Sequence, residues 1–176
     1  MSIFSLLFGK KTKPSIMSDN LSIDMNQLGI YVDNTHFPLP CDISLLKSFF
    51  GETRKVKTKV GMNYYWDNTG IMCYTRDGKT VHTLAVKVNN SDLSTAEDNK
   101  MTLYKGRLTV NGMDWESVMR RGKSTEFFYR ITLGNLSAVS EYGDFMDDTV
   151  LSGVEITSDS TISDNFESIV DEYGLN

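Results

Sequence analysis

The sequence has few of the residues on which common enzymatic sites depend. It contains two histidines, two cysteines and three prolines among 176 residues. No apolar run approaches the roughly 18 residues that a membrane-spanning helix needs. The zinc-protease helix motif, the hydrolase nucleophile elbow and the phosphate-binding loop are all missing from the sequence. These absences argue against a metal-dependent, nucleophilic or nucleotide-hydrolysing enzyme, and we expect no cofactor.

The scarce titratable residues do not form a recognisable site. His36 and His82 lie in separate segments, whereas a metal site needs ligands at defined spacing. Cys41 and Cys73 each adjoin apolar residues. This context predicts two free, partly buried thiols in a reducing cytoplasm, with a disulfide as the alternative. We therefore expect a cytoplasmic protein that is not an enzyme.

Charge is distributed unevenly along the chain. The net charge is −5, but the first 140 residues carry 18 basic and 13 acidic side chains, and the last 36 carry ten acidic and no basic ones. Nucleic-acid binders usually show a basic balance, which is missing here. The asymmetry instead predicts an acidic surface that binds a basic protein partner. The alternative is that the acidic C-terminal residues only make the protein more soluble.

One short segment is strongly basic. Residues 54–60 predict a strand that places Lys55, Lys57 and Lys59 on one side. Aromatic residues follow at 64–66, as a nucleic-acid platform would require. Lysines along a strand also protect a sheet edge from pairing with other chains. Edge protection is the commoner use, so we expect no nucleic-acid partner.

The first 27 residues predict a leader and linker ahead of the folded part. The apolar segment 3–8 is followed, not preceded, by lysines, unlike a secretory signal. We expect it to dock or fray, with contact at a membrane surface as the alternative and without stable insertion. Residues 28–176 then predict a single domain.

The pattern of this domain predicts an α+β fold of antiparallel sheets and short helices. Asp42 precedes a helical pattern over 43–50, and Gly51 follows it in the position of a C-terminal cap. Residues 54–88 predict a three-stranded antiparallel meander with an Asp-Gly hairpin turn. Trp66 and Trp115 are expected to anchor the core.

The order strand, short helix, glycine, strand is predicted twice, at 29–60 and at 106–133. This recurrence suggests two similar strand-helix-meander halves, over 28–90 and 101–176. A final amphipathic helix at 165–173 is predicted to pack on the sheet.

Two motifs carry a resemblance to a known group of proteins. A short helix ends in Phe-Gly at 50–51, and Trp-Asp-Asn-Thr-Gly-Ile follows at 66–71. With the later Asp-Gly hairpin, these motifs resemble a group of small, mostly uncharacterised bacterial proteins, although Thr53 replaces their usual proline. The resemblance covers about residues 28–88. Such proteins are often identified as immunity proteins of interbacterial toxin systems, including type VI secretion.

The resemblance implies a protein that binds and neutralises a cognate toxic effector. Its acids would meet a basic active-site cleft, and aromatic residues would anchor the interface. The loop 141–148 combines both kinds of residue, with a solvated acidic loop as the alternative. The residues predicted to bind the partner are Glu141, Tyr142, Asp144, Phe145, Asp147, Asp148, Glu167, Asp171 and Glu172. The alternative functions are a structural or adaptor module of a secretion system and an enzyme whose site no motif reveals.

Overall fold

A computed structural model of the protein describes residues 21–91, 94–124, 128–143 and 150–158. Of these described residues, 50% lie in strands and 13% in helices. The predicted antiparallel sheets and short helices are confirmed. The balance between them is not as expected, because the fold is β-rich. The predicted helix at 165–173 lies outside the described residues.

The strands of the described residues are, in chain order, β1 (Ser22–Asn26), β2 (Gly29–Val32), β3 (Thr35–Phe37), β4 (Cys41–Asp42), β5 (Arg54–Lys57), β6 (Met62–Trp66), β7 (Ile71–Thr75), β8 (Thr80–Lys87), β9 (Arg107–Val110), β10 (Met113–Asp114), β11 (Lys123–Ser124), β12 (Phe128–Leu133), β13 (Leu136–Tyr142) and β14 (Leu151–Thr157). The helices among them are α1 (Ile43–Phe50), α2 (Trp115–Met119) and a 3-10 turn at Asp98–Lys100.

Among the described residues these strands form two sheets. The smaller has the order β10-β9-β1-β2-β3, and the larger has the order β11-β12-β13-β14-β8-β7-β6-β5, with β4 paired to β8. Every pairing is antiparallel except that of β1 with β9. One buried apolar cluster includes residues from both sheets and both helices.

The folded part begins earlier than the sequence predicts. Leu21, Ile23 and Met25 are buried in the core, and β1 is the central strand of the smaller sheet. The expectation of a linker up to residue 27 is therefore wrong for residues 21–27. The alternation of apolar and polar residues in this segment fits a strand with one face in the core.

Helix α1 forms where the sequence predicts it. The Asp42 carboxylate accepts a hydrogen bond from the Ser44 amide at 2.7 Å and caps the first turn. Gly51 ends the helix with φ of +86°, a conformation that favours glycine, and its amide donates to the carbonyl of Lys47 at 2.9 Å. Ile43 is among the helix residues that face the core.

The predicted meander has four strands rather than three. The Thr58 amide donates to the carbonyl of Gly61 at 3.0 Å, and this turn folds β5 back on β6. A side chain at Gly61 would collide with the backbone carbonyl of Thr75, so the turn packs closely against the end of β7. Strand β5 lies at the edge of the larger sheet.

The same order of elements occurs twice along the chain. A hairpin (β2–β3), helix α1 and a four-stranded meander (β5–β8) are followed by a hairpin (β9–β10), helix α2 and a second such meander (β11–β14). The two meanders join edge to edge where β8 pairs with β14. The larger sheet is therefore continuous across this seam, and the site described next lies on it.

Candidate functional site

A pocket of about 350 Å³ lies on the face of the larger sheet opposite the core. Strand residues alternate between the two faces of a sheet. The residues that β7, β8 and β14 turn to the core are Ile71, Cys73, Leu84, Val86, Val154 and Ile156. The intervening positions supply most of the pocket lining from these strands, to which Val86 and Val154 also contribute, and the pocket therefore spans the seam between the two meanders.

Two glutamates from the second meander contribute carboxyl groups to the pocket. Glu155 on β14 accepts a hydrogen bond from the Tyr74 hydroxyl at 3.1 Å. One carboxylate oxygen of Glu141, Oε1, accepts bonds from Ser91 Oγ at 2.5 Å and Ser152 Oγ at 3.1 Å. Within the described residues, no side chain or amide donates to the second oxygen of either glutamate. Each carboxyl group is thus held on one side and open on the other.

Gly153 creates the space between these groups. The pairing register places it between Glu141 on β13 and Lys87 on β8. A Cβ atom at this position would meet only Glu141 Oε2 and the Val86 carbonyl oxygen, both at 3.8 Å. That is ordinary van der Waals contact, so a Cβ atom would fit without moving the backbone at this position of the pocket lining.

The connection that follows β8 forms one wall of the pocket. Ser91, Ser94, Thr95 and Asp98 line it, and the Asp98 carboxylate accepts hydrogen bonds from the amide and hydroxyl of Thr95 at 2.8 and 2.7 Å. From the sheet, Lys87 Nζ donates to the Asp98 carbonyl at 3.0 Å. This hydrogen bond therefore ties the wall of the pocket to strand β8.

A second anchor holds the same wall from the sheet edge. Arg54 donates to both carboxylate oxygens of Asp67, at 2.8 and 2.6 Å, and to Glu97 Oε2 at 2.5 Å. Its guanidinium lies over the Tyr65 ring, 4.3 Å from the centroid. Bidentate charged pairs of this kind fix geometry as well as adding energy. Arg54 therefore has a structural role, and its charge is paired with Asp67 and Glu97 rather than contributing to a basic surface.

The pocket also has an apolar side. Met72 on β7, Met101 after the wall segment, Val139 on β13 and Phe128 on β12 contribute to its lining. Apolar contacts on one side and open carboxylate oxygens on the other suit a ligand that has an apolar stem and a cationic end.

Burial perturbs both partners of the central hydrogen bond. Desolvation raises the pKa of Glu155, the Tyr74 hydrogen bond opposes that shift, and the nearby charges of Glu141 and Asp98 add to it. Burial, followed by the charge of Glu155, also raises the pKa of Tyr74. The phenol therefore stays protonated and serves as the donor.

We expect Glu155→Gln to change how stability depends on pH. Because the folded protein raises the pKa of Glu155, its contribution to the free energy of unfolding is fully present below about pH 4.5, the ordinary value. That contribution is lost as pH rises through the folded-state pKa. Urea denaturation from pH 4 to 8 should show the variant gaining stability relative to the parent protein as pH rises. A constant difference at every pH would contradict the prediction, and Glu52→Gln provides an exposed control.

The structure separates the predicted partner-binding residues. Glu141 lines the pocket, where its carboxyl group is half-buried. Tyr142 points to the opposite face of β13 and is 1% exposed, so its side chain is buried in the core rather than presented at the surface. The predicted residues that lie outside the described parts of the chain are Asp144, Phe145, Asp147, Asp148, Glu167, Asp171 and Glu172. Sequence reasoning missed Glu155, Tyr74 and Gly153, which only the strand pairing brings together.

Two buried tyrosines give a matched test of this packing. No described residue forms a hydrogen bond with the hydroxyl of buried Tyr142, whereas Tyr104 donates to the Leu21 carbonyl at 2.8 Å. Removing an unpaired buried hydroxyl relieves a desolvation cost, and removing a paired one loses a bond. In urea denaturation we expect Tyr142→Phe to raise the free energy of unfolding by up to about 1 kcal/mol, and Tyr104→Phe to lower it by about 1 kcal/mol. Equal losses for both would contradict this assignment.

The other sequence candidates take structural places. Tyr64, Tyr65 and Trp66 are buried, so they do not offer rings for bases to stack on. Lys55 and Lys57 are exposed on the edge strand β5, as edge protection requires. Both cysteines are free thiols, as predicted, and both are buried rather than partly buried. Within the described parts of the chain, no group of three or more metal-ligating side chains occurs, and no helix is long and apolar enough to cross a membrane.

Comparison with known domains matches residues 22–124 to a domain of unknown function, DUF7738. This match covers more than half of the chain and begins at strand β1. The chain belongs to the DUF7738 family. The matched segment contains the smaller sheet, both helices and the first meander, and it ends at β11. Strands β12 to β14 of the second meander, which include Glu141 and Glu155, follow the matched part of this DUF7738 protein. No curated protein and no solved structure matches the chain.

Proposed function

We propose that this DUF7738 protein is a non-enzymatic immunity protein. It binds a cognate toxic effector in the cytoplasm and blocks the effector's basic active site with an acidic surface. The observation that carries the proposal is the placement of Glu141 and Glu155, whose carboxyl groups open into a pocket on the outer face of the larger sheet.

The charge distribution supports the same proposal. Glu141 is the first residue of the last 36, which contain ten acidic and no basic side chains. The described part of this segment returns through β14 and places Glu155 beside the pocket. Complementary charge accelerates encounter with a basic partner and disfavours other partners. The functional class comes from the resemblance of residues 28–88 to small bacterial proteins that are often identified as immunity proteins.

The test uses the product of the open reading frame next to the gene. The full chain should form a complex with that protein and protect a bacterial host in which the protein is toxic. Failure of both would overturn the proposal. A complex without protection would also overturn it, in favour of an adaptor role.

Association kinetics test the acidic surface separately. Glu141→Lys should slow association about tenfold at low salt and flatten its salt dependence, since electrostatic steering acts mainly on the association rate. Asp144, Asp147 and Asp148 changed together to lysine should act in the same direction. Glu52→Lys is the control, because it makes the same charge change at an exposed position outside the pocket lining. Equal effects of Glu141→Lys and Glu52→Lys would show that net charge alone matters.

A further inference from the structure

We infer that the pocket on the larger sheet binds the guanidinium group of an arginine side chain. The inference deepens the proposed function, and rests on it only for the idea that the arginine belongs to the effector. The pocket, its dimensions and its polar groups are properties of this chain alone.

The polar groups of the pocket suit a cation that bonds in more than one direction. Glu141 and Glu155 each have one oxygen fixed by hydroxyl donors, while no described residue donates to the other. The hydroxyl bonds leave both carboxyl groups little freedom to turn. A guanidinium carries five N–H donors in a rigid plane and can bond to two carboxylates together, whereas an ammonium acts as a point charge.

Charges already present in the pocket do not satisfy these carboxyl groups. Lys87 is the cation in the lining, and its Nζ donates to the Asp98 carbonyl at 3.0 Å and to Asn99 Oδ1 at 3.4 Å. Glu141 and Asp98 both disfavour the ionised form of Glu155. A bound cation would relieve this repulsion, so the pocket favours positively charged ligands.

The apolar lining suits the rest of an arginine side chain. Met72, Met101, Val139 and Phe128 provide contacts for its three methylene groups. The absence of a side chain at Gly153 leaves the entry between Glu141 and Lys87 open. A volume of about 350 Å³ is at the small end of ligand pockets and accommodates one such side chain.

The experiment titrates the full chain with N-acetyl-arginine amide and follows backbone amide signals by NMR. We expect saturable shifts that concentrate at residues 139–141 and 153–155, with a Kd of about 1 mM for a ligand of this size. N-acetyl-citrulline amide has nearly the same shape without the charge and should bind at least about tenfold more weakly, since charged hydrogen bonds are the stronger ones. N-acetyl-lysine amide should also bind more weakly.

Three variants identify the site. Glu141→Gln and Glu155→Gln should each weaken binding about tenfold by removing one charged acceptor. Gly153→Leu should block the pocket while leaving every charge in place, and its Cβ atom makes only ordinary van der Waals contacts. Glu52→Gln should leave binding unchanged. The folded state of each variant is checked by its amide spectrum before titration.

Several results would overturn the inference. Equal binding of the citrulline and arginine amides would exclude recognition of charge, and equal binding of the lysine amide would exclude a guanidinium site. Unchanged binding by Gly153→Leu would place the ligand elsewhere. The proposed function fails separately: a chain that binds the arginine amide here but forms no effector complex keeps this inference and loses that function.

Discussion

Gly106→Ala should lower the free energy of unfolding by about 3 kcal/mol, which is the upper range for inserting a methyl group into a well-packed site. A Cβ atom at Gly106 would collide severely with the carbonyl oxygen of Leu21, and it would also collide with Tyr104 Oη at a distance of 2.5 Å. That carbonyl accepts hydrogen bonds from the Arg107 amide at 3.0 Å and from Tyr104 Oη at 2.8 Å. The added methyl group would therefore separate β1 from the chain entering β9.

Gly112→Ala is the matched control for this prediction. Gly112 has φ of +73° in the β9–β10 turn, but nothing lies within 4 Å of the position its Cβ would take. Alanine there costs backbone strain of about 1 kcal/mol without a collision. Urea denaturation of both variants separates the two effects. If Gly106→Ala were no less stable than Gly112→Ala, the close packing of β1 against residue 106 would be wrong.

Trp115→Ala should lower the free energy of unfolding by about 4 kcal/mol. The Trp115 side chain is 2% exposed, and its indole N–H donates to the hydroxyl of fully buried Ser140 at 2.7 Å. Helix α2 has only five residues, so tertiary packing has to hold it in place. The change would leave a cavity where α2 meets the larger sheet. Urea denaturation followed by circular dichroism measures the loss. Tryptophan fluorescence is less suitable because the change removes one of the two tryptophans and leaves only Trp66.

A double-mutant cycle isolates the hydrogen bond from the packing. Trp115→Phe leaves the Ser140 hydroxyl unpaired, and Ser140→Ala leaves the indole N–H unpaired. Each single change should cost about 2 kcal/mol. The combined variant should cost clearly less than the two added together, because it leaves no polar group without a partner. Additive losses would contradict direct coupling between the two side chains.

Local patterns predicted the local structure well. Asp42 and Gly51 cap the two ends of helix α1, and the Asn-Gly turn joins β9 to β10. Both were predictable because these residues act on the backbone next to them. Both tryptophans lie in the core as expected. Strand β1 was missed because its polar residues alternate with its apolar ones, and the composition of such a segment resembles that of a linker.

The candidate site could not be predicted in the same way. Tyr74 meets Glu155 although 81 positions separate them, and Ser91 meets Glu141 although 50 do. Both contacts depend on the pairing of β8 with β14, which no local motif specifies. The acid-rich character of the last 36 residues did indicate that Glu141 lies on a charged surface. It could not distinguish Glu141 from Tyr142. These neighbours lie on opposite faces of the sheet, and which of them faces the core depends on how β13 is placed in the sheet.

The seam between the two meanders also has a consequence for synthesis on the ribosome. The first meander is complete at Lys87, but the strand that pairs with the free edge of β8 ends at Thr157. Until β14 emerges, a nascent chain therefore carries an unpaired edge beside the buried apolar positions Leu84 and Val86. Open edges of this kind attract other chains. The interval between the synthesis of β8 and that of β14 is therefore a time when the growing polypeptide can pair wrongly with other chains.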